Sequence, residues 1–382
     1  MDTVAPFCST AQLYCILLGD IGILRRDRAP GGLNTVMELC TDLEDVEQLE
    51  VVQDRSSGLR AVIAIDDTTL GPALGGIRWR HYPDLGAAAA EARRLARGMT
   101  LKNACADLPY GGAKSVIWAL PGGPPPAGPV RTAQLEAFGR FVAHLGGAYV
   151  PGVDMGTSVD DLATIARVVP DVSCDRTDPS PMTALGVFAG VRAAVESGDG
   201  SLVGTRVLVQ GAGHVGMALC DLLAAAGCHL LVSDVDGVRA RAVADRVRGT
   251  VVDPDAATGT ECDVFAPCAT AGVVDGTSVD RMQCRIVAGA ANDVLAEPDL
   301  AEALRRRGIL YVPDFVLNAG GVVHIHALRA GWGADKLEES LLAIGDRVRR
   351  ILSDADRTGR TPLAVAEELA SDRLGRPIAL LR

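Results

Sequence analysis

The sequence predicts an α/β protein of two domains, the second built around a doubly wound parallel sheet. The chain has 382 residues, 48% of them hydrophobic, which suffices for two cores of ordinary size. In its first half, β-rich runs alternate with alanine-rich helical stretches. In its second half, each short apolar strand is followed by small or polar residues and a helix, a pattern typical of βαβ units.

Turn residues and hydrophobic periodicity set the expected domain limits. Residues 1–36 show no clean period and form an extension to which no role is assigned. Residues 37–180 are expected to form the first α/β domain, which opens with a hairpin, and residues 181–335 the second. Amphipathic helices within residues 336–382 end the chain and are expected to pack back on the first domain.

The basic residues have an unusual composition. Of 37 lysines and arginines, only Lys102, Lys114 and Lys336 are lysines. An arginine stays protonated at any accessible pH, whereas a desolvated lysine can lose its proton near neutrality. Because Gly111 and Gly112 precede Lys114 and an apolar strand follows it, we expect this amine to enter a buried sheet. The pattern indicates that at least one lysine is needed as an amine.

Two further features of the first domain indicate a ligand site. The paired glycines Gly75 and Gly76 follow Leu74 directly ahead of a strand and permit a ligand to lie against bare backbone. Asp154 follows a short strand in a glycine-containing segment. A single aspartate at such a place is compatible with a turn or capping residue as well as with a catalytic carboxylate.

The second domain carries a dinucleotide-binding fingerprint. The apolar strand 206–210 enters a Gly-x-Gly-x-x-Gly turn and a helix, and Asp234 closes the next strand 18 residues after Gly216. The turn residues expected to contact a cofactor are Gly211, Gly213, His214, Val215 and Gly216. The glycines allow a tight turn and let the helix N-terminus accept a pyrophosphate. Asp234 would bind the ribose hydroxyls and repel a 2′-phosphate, so a Rossmann-type domain that prefers NAD to NADP is predicted.

Composition argues against several functional classes. The formal net charge of -11 disfavours nucleic acid and anionic membranes as partners. The ten cysteines form no CxxC pair and the six histidines do not cluster, so neither a disulfide framework nor a metal site is expected. The apolar stretch 11–24 is interrupted by Asp20 and has no basic region before it. We therefore expect no signal peptide and no membrane span, and a cytoplasmic location.

Several motifs, in one order over roughly residues 47–380, together resemble the glutamate, leucine, phenylalanine and valine dehydrogenase family, and specifically its bacterial branched-chain and aromatic branch. They are Leu-Gly-Pro-Ala-Leu-Gly-Gly, Gly-Met-Thr-Leu-Lys-Asn, Gly-Gly-Ala-Lys, Val-Asp-Met-Gly-Thr, Gly-Ala-Gly-His-Val-Gly, Ala-Pro-Cys-Ala, Gly-Ala-Ala-Asn and Asn-Ala-Gly-Gly-Val. The resemblance implies reversible, NAD-dependent oxidative deamination of a hydrophobic L-amino acid to its 2-oxo acid and ammonia. It also implies a homo-oligomer.

The resemblance assigns roles to residues of the first domain. Lys114 would be the general base, which activates water or takes the ammonium proton. Asp154 would relay protons. Lys102 would bind the substrate α-carboxylate, with the backbone of Gly75 and Gly76 beside it.

In the second domain, the resemblance implies that Asn292 positions the substrate near the nicotinamide. Thr183, Cys268 and Ala269 would line the cofactor cleft.

Side-chain specificity is expected to depend on three apolar residues. Family members that act on glutamate carry a lysine where Leu74 stands. With Val322 and Ile325, which resemble pocket positions in the family, Leu74 would form an apolar cavity of moderate size. Valine, leucine or isoleucine is therefore favoured. Phenylalanine or another aromatic substrate is the alternative, because residues 206–234 resemble actinobacterial phenylalanine dehydrogenases.

Two departures from the family keep another alternative open. Residues 173–180 contain no glycine where the family usually has a glycine-rich loop, and Asp293 stands where a second asparagine is common. Both lie near the expected cofactor cleft. A weakly active homologue that binds NAD or an amino acid is therefore the second alternative.

Overall fold

The expected β-hairpin is present in the first part of the fold. The structure, a computed structural model, describes residues 12–14, 46–119, 126–169, 171–173 and 178–379. Strands β2 (Gln48–Asp54) and β3 (Leu59–Asp67) are antiparallel, and β1 (Gln12–Tyr14) pairs with β2 in parallel. The remainder of the 1–36 extension lies outside the described residues.

The chain divides into two compact units, which confirms the predicted two-domain α/β fold class. In the described ranges, the first unit contains the residues up to 100 and residues 109–176. The second contains residues 101–108 and 177–380. The domain limits expected from sequence remain predictions.

A mixed six-stranded sheet forms the centre of the first unit, in the order β1-β2-β3-β5-β4-β6. The additional strands are β4 (Ala73–His81), β5 (Gly111–Ala119) and β6 (Tyr149–Val153). β5 lies between β3, to which it is antiparallel, and β4, to which it is parallel. β4 also pairs in parallel with β6. The ends of β5 and β6 therefore lie on either side of β4.

Helices cover both faces of this sheet. Ile63 and Ile65 of β3 pack in one cluster, together with residues of α2 (Gly128–His144) and α3 (Val159–Ile165). Val62 and Ala64 pack in a second cluster with α1 (Leu85–Cys105). Because successive strand residues point to opposite faces, a strand covered on both sides is apolar throughout.

The second unit contains a six-stranded parallel sheet in the order β12-β11-β10-β7-β8-β9. Its strands are β7 (Arg206–Gln210), β8 (His229–Ser233), β9 (Thr250–Val251), β10 (Val264–Pro267), β11 (Ile286–Val287) and β12 (Leu310–Tyr311). This is the doubly wound order, in which the chain reverses direction between β7 and β10. Ligands bind at such a switch point, beyond the carboxyl ends of the strands.

Helices connect these strands and end the chain. They are α4 (Ser180–Glu196), α5 (His214–Ala225), α6 (Gly237–Val247), a 3-10 turn (Pro254–Gly259), α7 (Gly276–Arg281), α8 (Leu300–Arg306), α9 (Asp314–Leu317), α10 (Gly320–Arg329), α11 (Ala334–Thr358) and α12 (Pro362–Leu374). α11 packs against α4. The Arg373 guanidinium of α12 donates to the carbonyls of Ala104 and Leu108 at 2.9 and 3.1 Å. The last helix thus contacts the 101–108 segment.

Candidate active site

Lys114 and Asp154 are in direct contact in the first unit. Lys114 lies on β5 with only 6% of its surface exposed, and its Nζ is 3.1 Å from Oδ2 of Asp154. Asp154 follows β6 directly, and its side chain is 21% exposed. The structure therefore brings together the two side chains for which catalytic roles are expected. A nearly buried amine and a partly accessible carboxylate are a suitable pair for proton transfer.

Because Gly76 has no side chain, it leaves room for the side chains of Lys114 and Asp154. A Cβ atom at position 76 would lie 2.8 Å from the Cβ of Asp154 and 3.3 Å from the Nζ of Lys114. At Gly75, a Cβ would lie 1.6 Å from the carbonyl oxygen of Ala113 on β5. The glycine pair is therefore required sterically by the packing of β4 against its neighbours. Leu74, beside it, is 1% exposed.

Two charged residues that the sequence reasoning missed complete the site. Arg78 Nε lies 2.7 Å from Oδ2 of Asp154, and Arg78 Nη1 lies 2.6 Å from Oε1 of Glu91 on α1. The signal was an arginine between the apolar Ile77 and Trp79 of one strand, whose side chain alternation directs to the α1 face. Burial raises the pKa of Asp154, but the charges and hydrogen bonds of Lys114 and Arg78 outweigh it and hold that pKa well below its usual range. Asp154 is consequently ionised at neutral pH.

The Asp154→Asn substitution is expected to destabilise the protein by about 3 kcal/mol at neutral pH, because Lys114 and Arg78 then face each other without an anion. The pKa of Asp154 is lower in the folded protein than in the unfolded chain, where it is about 4, so ionised Asp154 stabilises the fold above that pH. This contribution shrinks as the pH falls below about 4 and is lost once the pH passes the folded-state pKa. Urea unfolding at pH 7 and pH 3 measures the change. The exposed Asp245→Asn is the control, with an expected effect within about 0.5 kcal/mol. An Asp154→Asn effect equally large at both pH values would contradict the assignment.

In the second unit, Lys102 contacts Asn292. Lys102 lies in the last turn of α1, where a cation interacts favourably with the helix dipole. Its Nζ donates to Oδ1 of Asn292 at 3.0 Å. Asn318, at the start of the Asn-Ala-Gly-Gly-Val motif, donates to the same oxygen at 2.9 Å and to the carbonyl of Ala290 at 3.1 Å. Asn292 is thus held from two sides, and Asn318 is a further residue that the sequence reasoning did not select.

The loop that carries Asn292 is supported by a buried carboxylate. Oδ2 of Asp314 accepts a hydrogen bond from the backbone N–H of Val294 at 2.8 Å. Burial and the charge of Asp293 raise the pKa of Asp314 to about 6, although the Val294 N–H and Lys102 act in the opposite direction. Asp293 itself has a φ of 52°, in the left-handed region that both asparagine and aspartate tolerate. This departure from the family pattern is therefore compatible with the backbone of the loop.

The turn after β7 has the geometry of a dinucleotide-binding loop. Gly211 has a φ of 104°, and a Cβ there would lie 2.7 Å from that of Ala269, after β10. A Cβ at Gly216 would lie 1.8 Å from the carbonyl oxygen of Gly211, so α5 can approach the turn only with glycine at this position. At Gly213 a Cβ would meet nothing within 4 Å. The first and third glycines are thus required by the turn and by the packing of α5, whereas the second faces open space.

The carboxylate after β8 is tied to the same turn. Oδ2 of Asp234 accepts from the backbone N–H of Ala212 at 2.7 Å, and Oδ1 accepts from that of Asp236 at 2.8 Å. Arg239 Nη1 lies 3.8 Å from Asp234. This carboxylate is therefore fixed in orientation before any ribose binds.

The other residues expected at the cofactor lie at the ends of neighbouring elements. Cys268 follows β10 and donates its backbone N–H to the carbonyl of Gln210 at 2.7 Å, while burial raises the pKa of its thiol to about 12. Nδ1 of His214, the first residue of α5, lies 3.2 Å from Asp178. Val215 follows it, half-buried. Cys268 is consequently a neutral thiol at ordinary pH.

Thr183 lies in the first turn of α4 and is close to α10. Its hydroxyl oxygen would be 3.2 Å from a Cβ at Gly321. On α10, the buried Val322 and the half-buried Ile325 are three residues apart and so lie on one helix face. The helix thus presents two apolar side chains on the same side.

Comparison with known proteins decides the family. The model described as Glu/Leu/Phe/Val dehydrogenase, dimerisation domain, matches residues 44–170, and the model described as Glutamate/Leucine/Phenylalanine/Valine dehydrogenase matches residues 239–328. A leucine dehydrogenase from Thermoactinomyces intermedius is 39% identical over 338 residues, which cover 86% of this chain and 91% of that protein. The chain belongs to the Glu/Leu/Phe/Val dehydrogenase family. It is therefore an amino acid dehydrogenase, an oxidoreductase of the class that generally uses NAD(P).

Other members of the family are similarly close. A valine dehydrogenase from Streptomyces albus is 39% identical, over 86% of this chain and 92% of that protein. The crystal structure of L-tryptophan dehydrogenase from Nostoc punctiforme is similar with a TM-score of 0.73 at 38% identity, covering 90% of this chain and 98% of that one. The resemblance expected from the motifs, including its bacterial branch, is confirmed.

Three further features of this chain concern metal ligands, membrane-spanning helices and the glycine-free loop. No group of three or more His, Cys, Asp or Glu side chains that could hold a metal ion occurs within the described ranges. None of the helices in those ranges is long and apolar enough to cross a membrane. In the glycine-free loop 173–180, residues 174–177 lie outside the described residues.

Proposed function

We propose that this dehydrogenase family member catalyses the NAD-dependent oxidative deamination of aliphatic L-amino acids, with valine, leucine and isoleucine preferred. The observation that carries the proposal is the contact between the nearly buried Lys114 and the ionised Asp154. Deamination needs a general base within reach of the substrate, and a neighbouring carboxylate can hold that base in position. The family supplies the reaction class.

In this proposal Lys114 is the general base. In its neutral form, its Nζ takes the proton from the substrate ammonium and releases it to solvent. Neutral again, it then takes a proton from the water that attacks the iminium carbon. Asp154 orients Lys114 through the 3.1 Å contact and stabilises the ammonium that forms. Because its pKa is held well below the usual range, Asp154 serves this role as a lasting anion, and any share in proton relay is secondary.

Lys102 is assigned to the substrate α-carboxylate. Its ammonium group is oriented by Asn292, which Asn318 fixes in turn. Asn292 uses its carbonyl oxygen for Lys102 and Asn318, which leaves its amide N–H groups to donate to a substrate. The ion pair with Lys102 would then hold the substrate by its α-carboxylate, while the substrate side chain would make apolar contacts.

The second unit is suited to bind a dinucleotide. At Gly211 and Gly216 neighbouring backbone atoms lie too close for a side chain, and at Gly213 the turn leaves open space. When bound, the oxidised nicotinamide supplies the hydride acceptor. We propose NAD rather than NADP, because the fixed Asp234 carboxylate can accept from ribose hydroxyls and would repel a 2′-phosphate. Thr183, Cys268 and Ala269 would lie along the cofactor.

The Asp234→Asn substitution tests this preference. We expect the ratio of kcat/KM for NAD over NADP to fall at least about 10-fold, since a charge-assisted hydrogen bond becomes a neutral one and the repulsion disappears. Asparagine keeps an oxygen for the Ala212 N–H but loses the acceptor for the Asp236 N–H, so thermal unfolding of the variant is measured beside its kinetics. Asp236→Asn, two residues further on, is the matched control. An unchanged ratio in Asp234→Asn would contradict the proposed preference.

Substrate preference is tested by a panel of L-amino acids assayed through NADH absorbance at alkaline pH. Leu74, Val322 and Ile325 provide no charged partner for a substrate side chain. We therefore expect valine, leucine and isoleucine to give the highest kcat/KM, and we expect no turnover of glutamate. No turnover of any hydrophobic amino acid, together with binding of NAD by calorimetry, would instead support a weakly active binding protein.

An aromatic substrate is the second candidate, favoured by one specific observation. The L-tryptophan dehydrogenase of Nostoc punctiforme is 40% identical over 335 residues, about the same as the aliphatic relatives. Phenylalanine and tryptophan therefore belong in the same panel. Higher kcat/KM for either than for leucine would replace the aliphatic proposal.

We also propose that the enzyme is a cytoplasmic homo-oligomer with no nucleic-acid or membrane partner. The family model that covers residues 44–170 is described as a dimerisation domain, and the net charge of -11 disfavours polyanionic partners. Light scattering after gel filtration measures the mass. A single species of one chain's mass would contradict the oligomer.

A further inference from the structure

Asp154 shares one carboxylate oxygen between two cations. Oδ2 lies 3.1 Å from the Nζ of Lys114 and 2.7 Å from the Nε of Arg78. Arg78 in turn lies 2.6 Å from Glu91. The four side chains thus alternate in charge, in the order Glu91, Arg78, Asp154, Lys114. Because both cations contact the same oxygen, their nitrogens lie within about 6 Å of each other.

We propose that Arg78 is a positioning residue that holds Asp154 beside Lys114 and makes it easier for Lys114 to give up its proton. This rests on the proposed function, since it concerns the same proton-transfer site. An isolated Lys–Asp pair would favour the charged lysine, because an opposite charge within about 6 Å stabilises the protonated form. A base must be neutral to act. Arg78 offsets the negative charge of Asp154 at the very oxygen that Lys114 contacts.

The geometry of Arg78 suits this role. Its planar guanidinium is fixed at two edges, by Asp154 at Nε and by Glu91 at Nη1, and its side chain is 11% exposed. A guanidinium does not deprotonate at any working pH, so its charge is constant while Lys114 titrates. A lysine at this position would keep the charge but lose the second anchored edge. Arg78 therefore fixes the carboxylate in both orientation and charge.

Several other charged or titratable groups lie on the elements around β5. Asp66 on β3 accepts from Arg97 of α1 at 2.6 Å and from Thr100. Burial raises the pKa of Tyr149 on β6 above its ordinary value, so that phenol stays neutral. Asp67 lies further along β3, and Arg80 is half-exposed, 3.8 Å from Glu91. Arg78 and Lys114 both lie within hydrogen-bond distance of Asp154.

The test is the pH profile of kcat/KM for a branched-chain amino acid. In Arg78→Gln we expect the acidic limb to move to higher pH by about one unit, since the loss of one positive charge lets Lys114 keep its proton longer. Arg78→Lys should return the limb towards its wild-type position. Arg80→Gln, two residues along the same strand and also near Glu91, should leave it unmoved.

The outcomes separate the inference from the proposed function. A silent wild-type enzyme would remove the proposed function, and the inference with it. An active wild type whose limb stays in place in Arg78→Gln, with only a lower plateau, would show a purely structural arginine. If Arg78→Gln does not fold, Glu91→Gln decides, because removing the anion behind Arg78 should move the limb to lower pH. No movement, or movement to higher pH, would overturn the inference.

Discussion

Replacing Lys114 with alanine is expected to lower kcat between about 10² and 10⁴-fold, the range attributed to a positioned general base. The substitution leaves Asp154 paired with Arg78 at 2.7 Å, so no buried carboxylate loses its only cation. The variant should therefore fold, which thermal unfolding checks. Steady-state oxidation of leucine or valine, followed by NADH absorbance, measures the change in kcat.

Lys114→Arg separates a base from a fixed charge. Arginine keeps the positive charge next to Asp154 but does not deprotonate, so we expect it to be about as inactive as Lys114→Ala. The exposed Lys336, whose ammonium lies over the Trp332 ring, provides the control, and Lys336→Ala should retain wild-type turnover. A Lys114→Arg enzyme with more than a tenth of the wild-type kcat would reject the base assignment in favour of a purely electrostatic role.

Lys102→Ala is expected to act on binding rather than on the chemical step. Removing the cation that pairs with the substrate carboxylate should raise KM for the amino acid about 100-fold, with a smaller effect on kcat, since truncating one side of a hydrogen-bonded charge pair costs about 2–5 kcal/mol. Asn292→Ala removes only the group that orients Lys102 at 3.0 Å, so its effect on KM should be several-fold smaller. Saturation kinetics with one substrate measure both.

A substrate analogue checks which end of the amino acid Lys102 contacts. The primary amine that corresponds to leucine without its carboxylate has nothing for Lys102 to bind. As an inhibitor it should bind wild type and Lys102→Ala equally, whereas the 2-oxo acid should bind the variant about 100-fold more weakly. A KM for the amino acid that is unchanged in Lys102→Ala would assign the carboxylate to another cation.

Much of this site was accessible from the sequence because its signals are local. The strand, the glycine turn 211–216 and the acid at the next strand end form one contiguous βαβ segment, and the structure has each of them in place. The scarcity of lysine drew attention to Lys102 and Lys114 without any structural information. The glycines ahead of the second lysine correctly indicated a buried strand.

The ion pairs and hydrogen bonds of the site could not be predicted from the sequence, because they join residues that are far apart in the chain. Arg78 and Asp154 are 76 positions apart, and Lys102 and Asn292 are 190 apart. They meet only because β4 lies between β5 and β6 and because segment 101–108 belongs to the second unit. Sequence alone therefore indicated an acid and an amine, and gave no sign that Asp154 is held as an anion by two cations.

The amino-acid sequence by itself determined the fold class, the family and the glycine-rich turn of the second unit, and it singled out the two lysines to which we assign roles, since each follows from residue types at short spacing. Only the tertiary structure shows that Lys114 and Arg78 both contact the carboxylate of Asp154, and that Lys102 and Asn318 both donate to the side chain of Asn292. The physical reason is that electrostatic interactions act across space: strand order and burial set the distances and the local dielectric, and these decide whether an amine beside a carboxylate keeps or loses its proton.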